Sequence, residues 1–175
     1  MEEVFKPYLN TDEELVWVDQ PSPGALAQQY MSESFHGLFG CLFMLAITSM
    51  LWAQPTVNAA AFYLVAAAVT WGWGYSLVKL LKPFWHFFMA RYLVYGISDQ
   101  RLIIARTFPS KRFTSYFPSD LEPTETLDRG NDIGDVTFQK EQWKGNTRKP
   151  QFRKVGFFGI KDFHKVASAI DYLKS

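Results

Sequence analysis

The side chains best suited to acid–base work or metal ligation are three histidines, His36, His86 and His164, and none has a second ligand at metal spacing. The single cysteine, Cys41, lies inside an apolar run, where burial raises a thiol's pKa and favours packing over nucleophilic attack. One cysteine also excludes an intramolecular disulfide framework and a cysteine-cluster zinc site. No glycine-rich phosphate loop, Gly-x-Ser-x-Gly turn or Cys/His pair is present. Glu122, Glu125 and Asp128 fall in a strand-like stretch and read as a solvated face. The chain is therefore expected to be non-enzymatic, with no catalytic residue, no metal and no cofactor.

Anion binding is the chemistry the sequence favours. Residues 140–150 carry four bases, Lys140, Lys144, Arg148 and Lys149, with one acid and Trp143 among them. Lys111 and Arg112 close another hairpin. Tryptophan beside lysine and arginine suits a headgroup layer, where amphipathic rings settle and bases meet anionic lipid. These seven residues form the candidate ligand site, on a long inter-strand loop and a shorter turn.

What positions them follows from where charge is missing. From Ser34 to Val78 there are 45 consecutive residues without Asp, Glu, Lys or Arg. The polar break at 53–58 divides this stretch into apolar runs at about 35–52 and 59–81, helices of roughly 27 and 34 Å that bracket the ~30 Å hydrocarbon core. Apolar residues surround the first run on every side, so no polar stripe marks a soluble surface helix. A cleaved signal peptide is a poor reading, because seven acids and one base precede the run. The pair is expected to close through small residues at fourfold spacing, Gly37, Cys41, Ser49 and Ala53 facing Ala60, Ala68, Gly72 and Ser76. Lys79, Lys82 and Arg91 follow the second helix and the connecting turn is uncharged, which places both termini in the cytoplasm. The aromatic run 84–88 suits the headgroup layer or the first buried element of the next domain.

The organisation is then an acidic leader (1–33), a transmembrane hairpin (34–82) and a basic cytoplasmic domain (83–175). In that domain β-branched and aromatic runs at 92–98, 101–107, 112–117, 121–127, 135–140 and 152–158 predict strands, with Asp99-Gln100, Pro109-Ser110-Lys111, Gly130-Asn131-Asp132 and Lys144-Gly145-Asn146 as turns. Phe163, Val166, Ile170 and Leu173 then switch to helical period behind Asp162 as N-cap. The fold class is an α+β membrane protein, a two-helix hairpin followed by an antiparallel sandwich or barrel capped by a C-terminal helix.

Tyr95-Gly96-Ile97-Ser98-Asp99-Gln100-Arg101-Leu102-Ile103-Ile104 resembles the opening strand pair of bacterial pleckstrin-homology-like (PH-like) domains. Gly134-Asp135-Val136-Thr137-Phe138 is similar to their middle strand, and Phe158-Gly159-Ile160-Lys161-Asp162 with the terminal helix to their closing element. Glu13-Glu14-Leu15-Val16-Trp17-Val18-Asp19-Gln20-Pro21 resembles the leader of membrane-anchored members. The resemblance implies a seven-stranded bent sheet, a C-terminal helix and a bacterial cytoplasmic (inner) membrane. The position that carries closely spaced bases in inositide-binding relatives holds Asp99-Gln100-Arg101, which argues against specific inositide recognition. Two functions fit: a membrane-anchored module that binds anionic lipid weakly through its basic loop, or an accessory subunit docking on a membrane protein complex or on itself. Nucleic acid is not an expected partner, since the aromatics fall at strand period like core residues.

Overall fold

The computed structural model describes residues 1–53, 58–143 and 151–174. It is an α+β protein with two long apolar helices and two antiparallel sheets. The chain forms two compact units, one from Ala27–His86 and one that joins Met1–Leu26 to Phe87–Ser175.

In the first unit, helix α2 (Met31–Ala53) packs against the following long helix, α3 (Ala59–Met89). A short helix, α1 (Pro23–Gln29), precedes them. The seam is built on small residues, because a Cβ added at Gly37 would lie 2.4 Å from the Leu80 amide nitrogen and one at Gly40 2.4 Å from Ser76 Oγ. Gly72 faces Met44 in the same way, and Trp73 Nε1 donates to Thr48 Oγ1 at 3.3 Å. Ser34 Oγ donates to the Leu80 carbonyl at 2.9 Å, and Lys82 pairs with Glu33 at 2.8 Å.

Gly37, Gly72 and Ser76 thus lie where the fourfold spacing put them, but the α2 side of the seam passes through Gly40, Met44 and Thr48. Ser49 is exposed and bonds back to Ala46 of its own helix. The reason is geometric: a strict fourfold step overshoots a 3.6-residue turn by about 40°, so steps of three and four must alternate to hold one face. Helix α3 also runs on through Pro83, which leaves the Lys79 carbonyl without its intrahelical donor. The run 84–88 is therefore helical, and its Phe84, Trp85, Phe87 and Phe88 are exposed rather than buried in a core.

The second unit is a β module. Strands β1 (Leu15–Asp19), β2 (Leu93–Ser98), β3 (Leu102–Arg106) and β4 (Arg112–Tyr116) form one sheet in that order. Strands β5 (Glu125–Gly130), β6 (Ile133–Trp143) and β7 (Gln151–Lys161) form the other. Helix α4 (Phe163–Lys174) buries Phe163, Val166, Ala167 and Ile170 against a core of Tyr95, Ile97, Leu102, Phe138, Phe157 and Ile160. Asp162 precedes α4 at a φ of 49°, and its carbonyl accepts the Val166 amide.

The predicted strands and the helix are present, with three differences. Strand β5 begins at Glu125 rather than near Leu121, since Pro118–Asp120 forms a 3₁₀ turn and Pro123 has no amide to give a ladder. Strands β6 and β7 run to Trp143 and from Gln151, so less of 140–150 is loop than expected. Most important, the acidic N-terminal segment is built into the module. Its β1 pairs with β2, from Leu15 opposite Ser98 to Asp19 opposite Tyr95. Phe5 seals the outer face of the same sheet over Val94, Ile103 and Ala105.

The seam makes one substitution diagnostic at two sites. Gly37→Leu is expected to cost the hairpin about 1–3 kcal/mol or more by overpacking backbone against backbone. Gly74→Leu, where a Cβ meets nothing within 4 Å, should leave it unchanged or slightly more stable. Detergent-titrated unfolding of the full chain reads both, and equal losses would contradict the packing described.

Candidate functional site

The most densely bonded polar group in the β module joins the N-terminal segment to the β2–β3 turn. Glu13 has a side chain with no exposed surface, and the Arg101 side chain is 15% exposed. They meet in a fork: Arg101 Nε donates to Glu13 Oε1 and Nη2 to Oε2, each at 2.8 Å. The Ser98 hydroxyl donates to Oε1 at 2.6 Å and the Asn10 amide to Oε2 at 3.0 Å. Arg101 Nη2 also reaches the Tyr8 carbonyl, and Asp99 exchanges two bonds with Glu14. Ser98-Asp99-Gln100-Arg101 is thus a fastening, with Ser98 Oγ accepting the Arg101 amide at 3.0 Å while Arg101 grips the carboxylate. Burial opposes ionisation of Glu13, but Arg101, Ser98 and Asn10 together outweigh it and hold the carboxyl below its ordinary value.

A second fork lies in the other sheet. Arg129 binds both oxygens of buried Asp135, whose Oδ1 also accepts the Gly159 amide at 2.9 Å. Gly159, at a φ of 65°, passes its carbonyl to the Ser22 amide at 2.7 Å. A Cβ there would lie 2.8 Å from that of Ala25, so the tight approach needs glycine. In both forks an arginine grips both oxygens of a buried carboxylate that also accepts backbone or hydroxyl bonds, the arrangement of a structural fastening.

The seven candidate ligand residues separate into groups. Lys111 and Arg112 are exposed at the β3–β4 turn, and neither makes an ion pair or a side-chain hydrogen bond among the described residues. Lys140 sits within β6, bound to Glu125 at 2.6 Å, and Glu125 also holds Lys154 at 2.8 Å. Those two lysines pull the Glu125 carboxyl down to about 2, so the base of Lys140 is already matched by an acid. Trp143 ends β6, and Lys144, Arg148 and Lys149 lie outside the described residues.

About 13 Å of strand separates Arg112 from Tyr116, whose hydroxyl reaches Glu141 at 3.4 Å. Burial and the Glu141 carboxylate push the Tyr116 phenol up to about 12. Lys140 therefore neighbours the far end of β4 and does not join Lys111 and Arg112 in one patch.

One basic residue escapes sequence reading. Arg106 stands directly across the β3–β4 ladder from Arg112, and its Nε is buried without a partner. Beside it, Phe108 in the turn contacts Tyr92 with ring centroids 5.0 Å apart, and Tyr92 contacts Phe88 at 5.6 Å. The signal was register: only the pairing of strands brings these bases and rings together. Among the described residues no three His, Cys, Asp or Glu side chains group to hold a metal. His86 instead stacks on Tyr30, with centroids 3.7 Å apart.

Compared with known proteins, the chain matches no family model, no curated protein and no solved structure.

The Glu13 fork gives a test with a sign. Because its carboxyl titrates lower in the folded chain, its contribution is complete above the ordinary carboxylate value near 4.5 and is lost as pH falls through the lowered one. Glu13→Gln leaves Arg101 without its counter-charge and is expected to cost about 3–5 kcal/mol at neutral pH. Its stability should also fall less steeply in acid than that of the parent. Chemical unfolding at pH 7 and in mild acid measures both, and a loss under about 0.5 kcal/mol would show that the fork carries no weight.

Proposed function

We propose that this protein is a membrane-anchored, non-catalytic binding module, a two-helix transmembrane hairpin inserted into a PH-like β domain. The observation that carries the reading is the exposed apolar surface of α2 and α3. The most apolar windows of both helices are only 6% buried, with Phe39 71% and Trp71 80% exposed. A core helix of a soluble protein hides such residues, and a monomer in water rarely shows a continuous apolar patch above a few hundred Å². Lipid is the solvent that suits them, and a seam of glycine, serine and threonine is how helices associate where no hydrophobic force drives them together.

Three features support the PH-like reading. Among the described residues the module has seven strands divided four and three, a terminal helix packed on the core, and the motif residues Ser98 and Arg101 in a fastening role. Lys79 and Lys82 in the C-terminal part of α3, Arg91 just beyond it and no charge in 54–58 support cytoplasmic termini, as in a bacterial inner membrane. A second reading, an accessory subunit of a membrane complex, is favoured by an open apolar groove of about 670 Å³ on α3. Ala67, Thr70, Trp71, Gly74, Tyr75 and Val78 line it, a shape that accepts another helix.

Single cysteines at Asn58 and Ser175 in a Cys41→Ala background test the anchoring. In intact cells an impermeant maleimide is expected to label Asn58, and Ser175 only after permeabilisation, with the chain resisting alkaline extraction from membranes. Labelling of Ser175 alone would reverse the topology, and extraction into the soluble fraction would remove the anchor.

A further inference from the structure

We propose that the β3–β4 hairpin, with Arg106, Lys111 and Arg112 around Phe108, docks onto the anionic phospholipid surface beside the anchor. The inference rests on the anchored reading and names the surface through which the module meets the bilayer.

Charge is the first argument. Arg106 and Arg112 are direct cross-strand partners, and like charges in that position destabilise a sheet. Lys111 adds a third base next in sequence, while the described residues supply none of the three with an acid. Four other bases of the module, Lys140, Lys154, Arg101 and Arg129, each have a carboxylate within 2.8 Å. Arg106 also keeps its Nε buried and unbonded. An anion brought from outside offsets the charge of the three bases, while the buried Arg106 Nε stays out of its reach.

Position selects the source of that anion. Phe108 is exposed at the turn and joined through Tyr92 to Phe88 in the last turn of α3. Phe88 follows Lys82, the last charged residue of the helix, by six residues, roughly 9 Å of helix. A headgroup layer is about 5–8 Å thick, and its negative potential extends a further Debye length of ~8–10 Å. If α3 crosses the bilayer, Phe88 at its end lies near headgroup depth, and the ring contacts through Tyr92 keep Phe108 of the hairpin beside it. Aromatic rings with arginine and lysine at that depth are the composition of an interfacial anchor. The contact asks for phosphate oxygens at a surface and for no particular headgroup.

The test uses the full chain with Cys41→Ala and Ser110→Cys, an environment-sensitive dye on the new thiol, reconstituted into phosphatidylcholine vesicles with or without phosphatidylglycerol. The emission is expected to shift to the blue only in the anionic bilayer, and to return at about 1 M salt, where the Debye length is ~3 Å. Lys111→Gln with Arg112→Gln should lower the docked-to-free ratio roughly 30-fold, about fivefold for each base at an anionic surface. Lys111→Arg should retain the shift, and so should Lys154→Gln, whose base is matched by Glu125. Identical emission in both bilayers, or in the double variant and its parent, would overturn the hairpin contact. Chain that does not float with either vesicle would overturn the anchor itself, so the two failures are read separately.

Discussion

The fork between Glu13 and Arg101 is the constraint on which the β module depends. Its partners lie 88 residues apart, and the whole helical hairpin is inserted between them. Strand β1 must therefore find β2 across a long excursion, and closing a flexible loop of that length would cost on the order of 4 kcal/mol. The hairpin reduces this cost by folding on itself, and the fork fixes the register once the ends meet. A buried ion pair stabilises only when geometry and hydrogen bonding satisfy both charges. Here Ser98, Asn10 and Tyr8 satisfy what the fork leaves over. The Phe5 cluster follows from it, because the turns that carry Phe5 onto the sheet are held by the same arginine.

The two units are built by different rules. The β module buries large rings, with Phe157 in contact with Tyr95 at 4.8 Å and with Phe138 at 5.2 Å, as expected where water drives apolar surface inward. The helical hairpin does the reverse. Its largest side chains point outward, while Gly37, Gly40, Gly72 and Ser76 make the contact. Inverting large and small between inside and outside is what the proposed membrane anchor calls for.

Much of this organisation was legible in the sequence. The charge-free stretch located both helices, and the switch from twofold to helical period located β7 and α4. What escaped was pairing at a distance. Leu15–Asp19 has only five residues and an acidic flank, and its partner lies far downstream, so no local pattern marks it as part of the sheet. The far ends of β6 and β7 escaped because charge pairs such as Lys140 and Lys154 on Glu125 hold them where apolar alternation is absent. At the candidate site, Lys111 and Arg112 stood out as bases in a turn. Arg106 did not, since one arginine closing an apolar strand means nothing until register sets it against another. Lys140 was legible as a base, but its pairing with Glu125 was not.

Hydrogen exchange on the full chain in lipid nanodiscs tests the account most directly, because one experiment reads both the anchor and the module built across it. The amides of 35–52 and 60–81 are expected to exchange far more slowly than exposed helix in water, and Val16 and Val18 to exchange in step with Tyr95 and Ile97 of β2. Helical amides exchanging at solvent rates, or a β1 segment exchanging as a free tail while β2 stays protected, would contradict it.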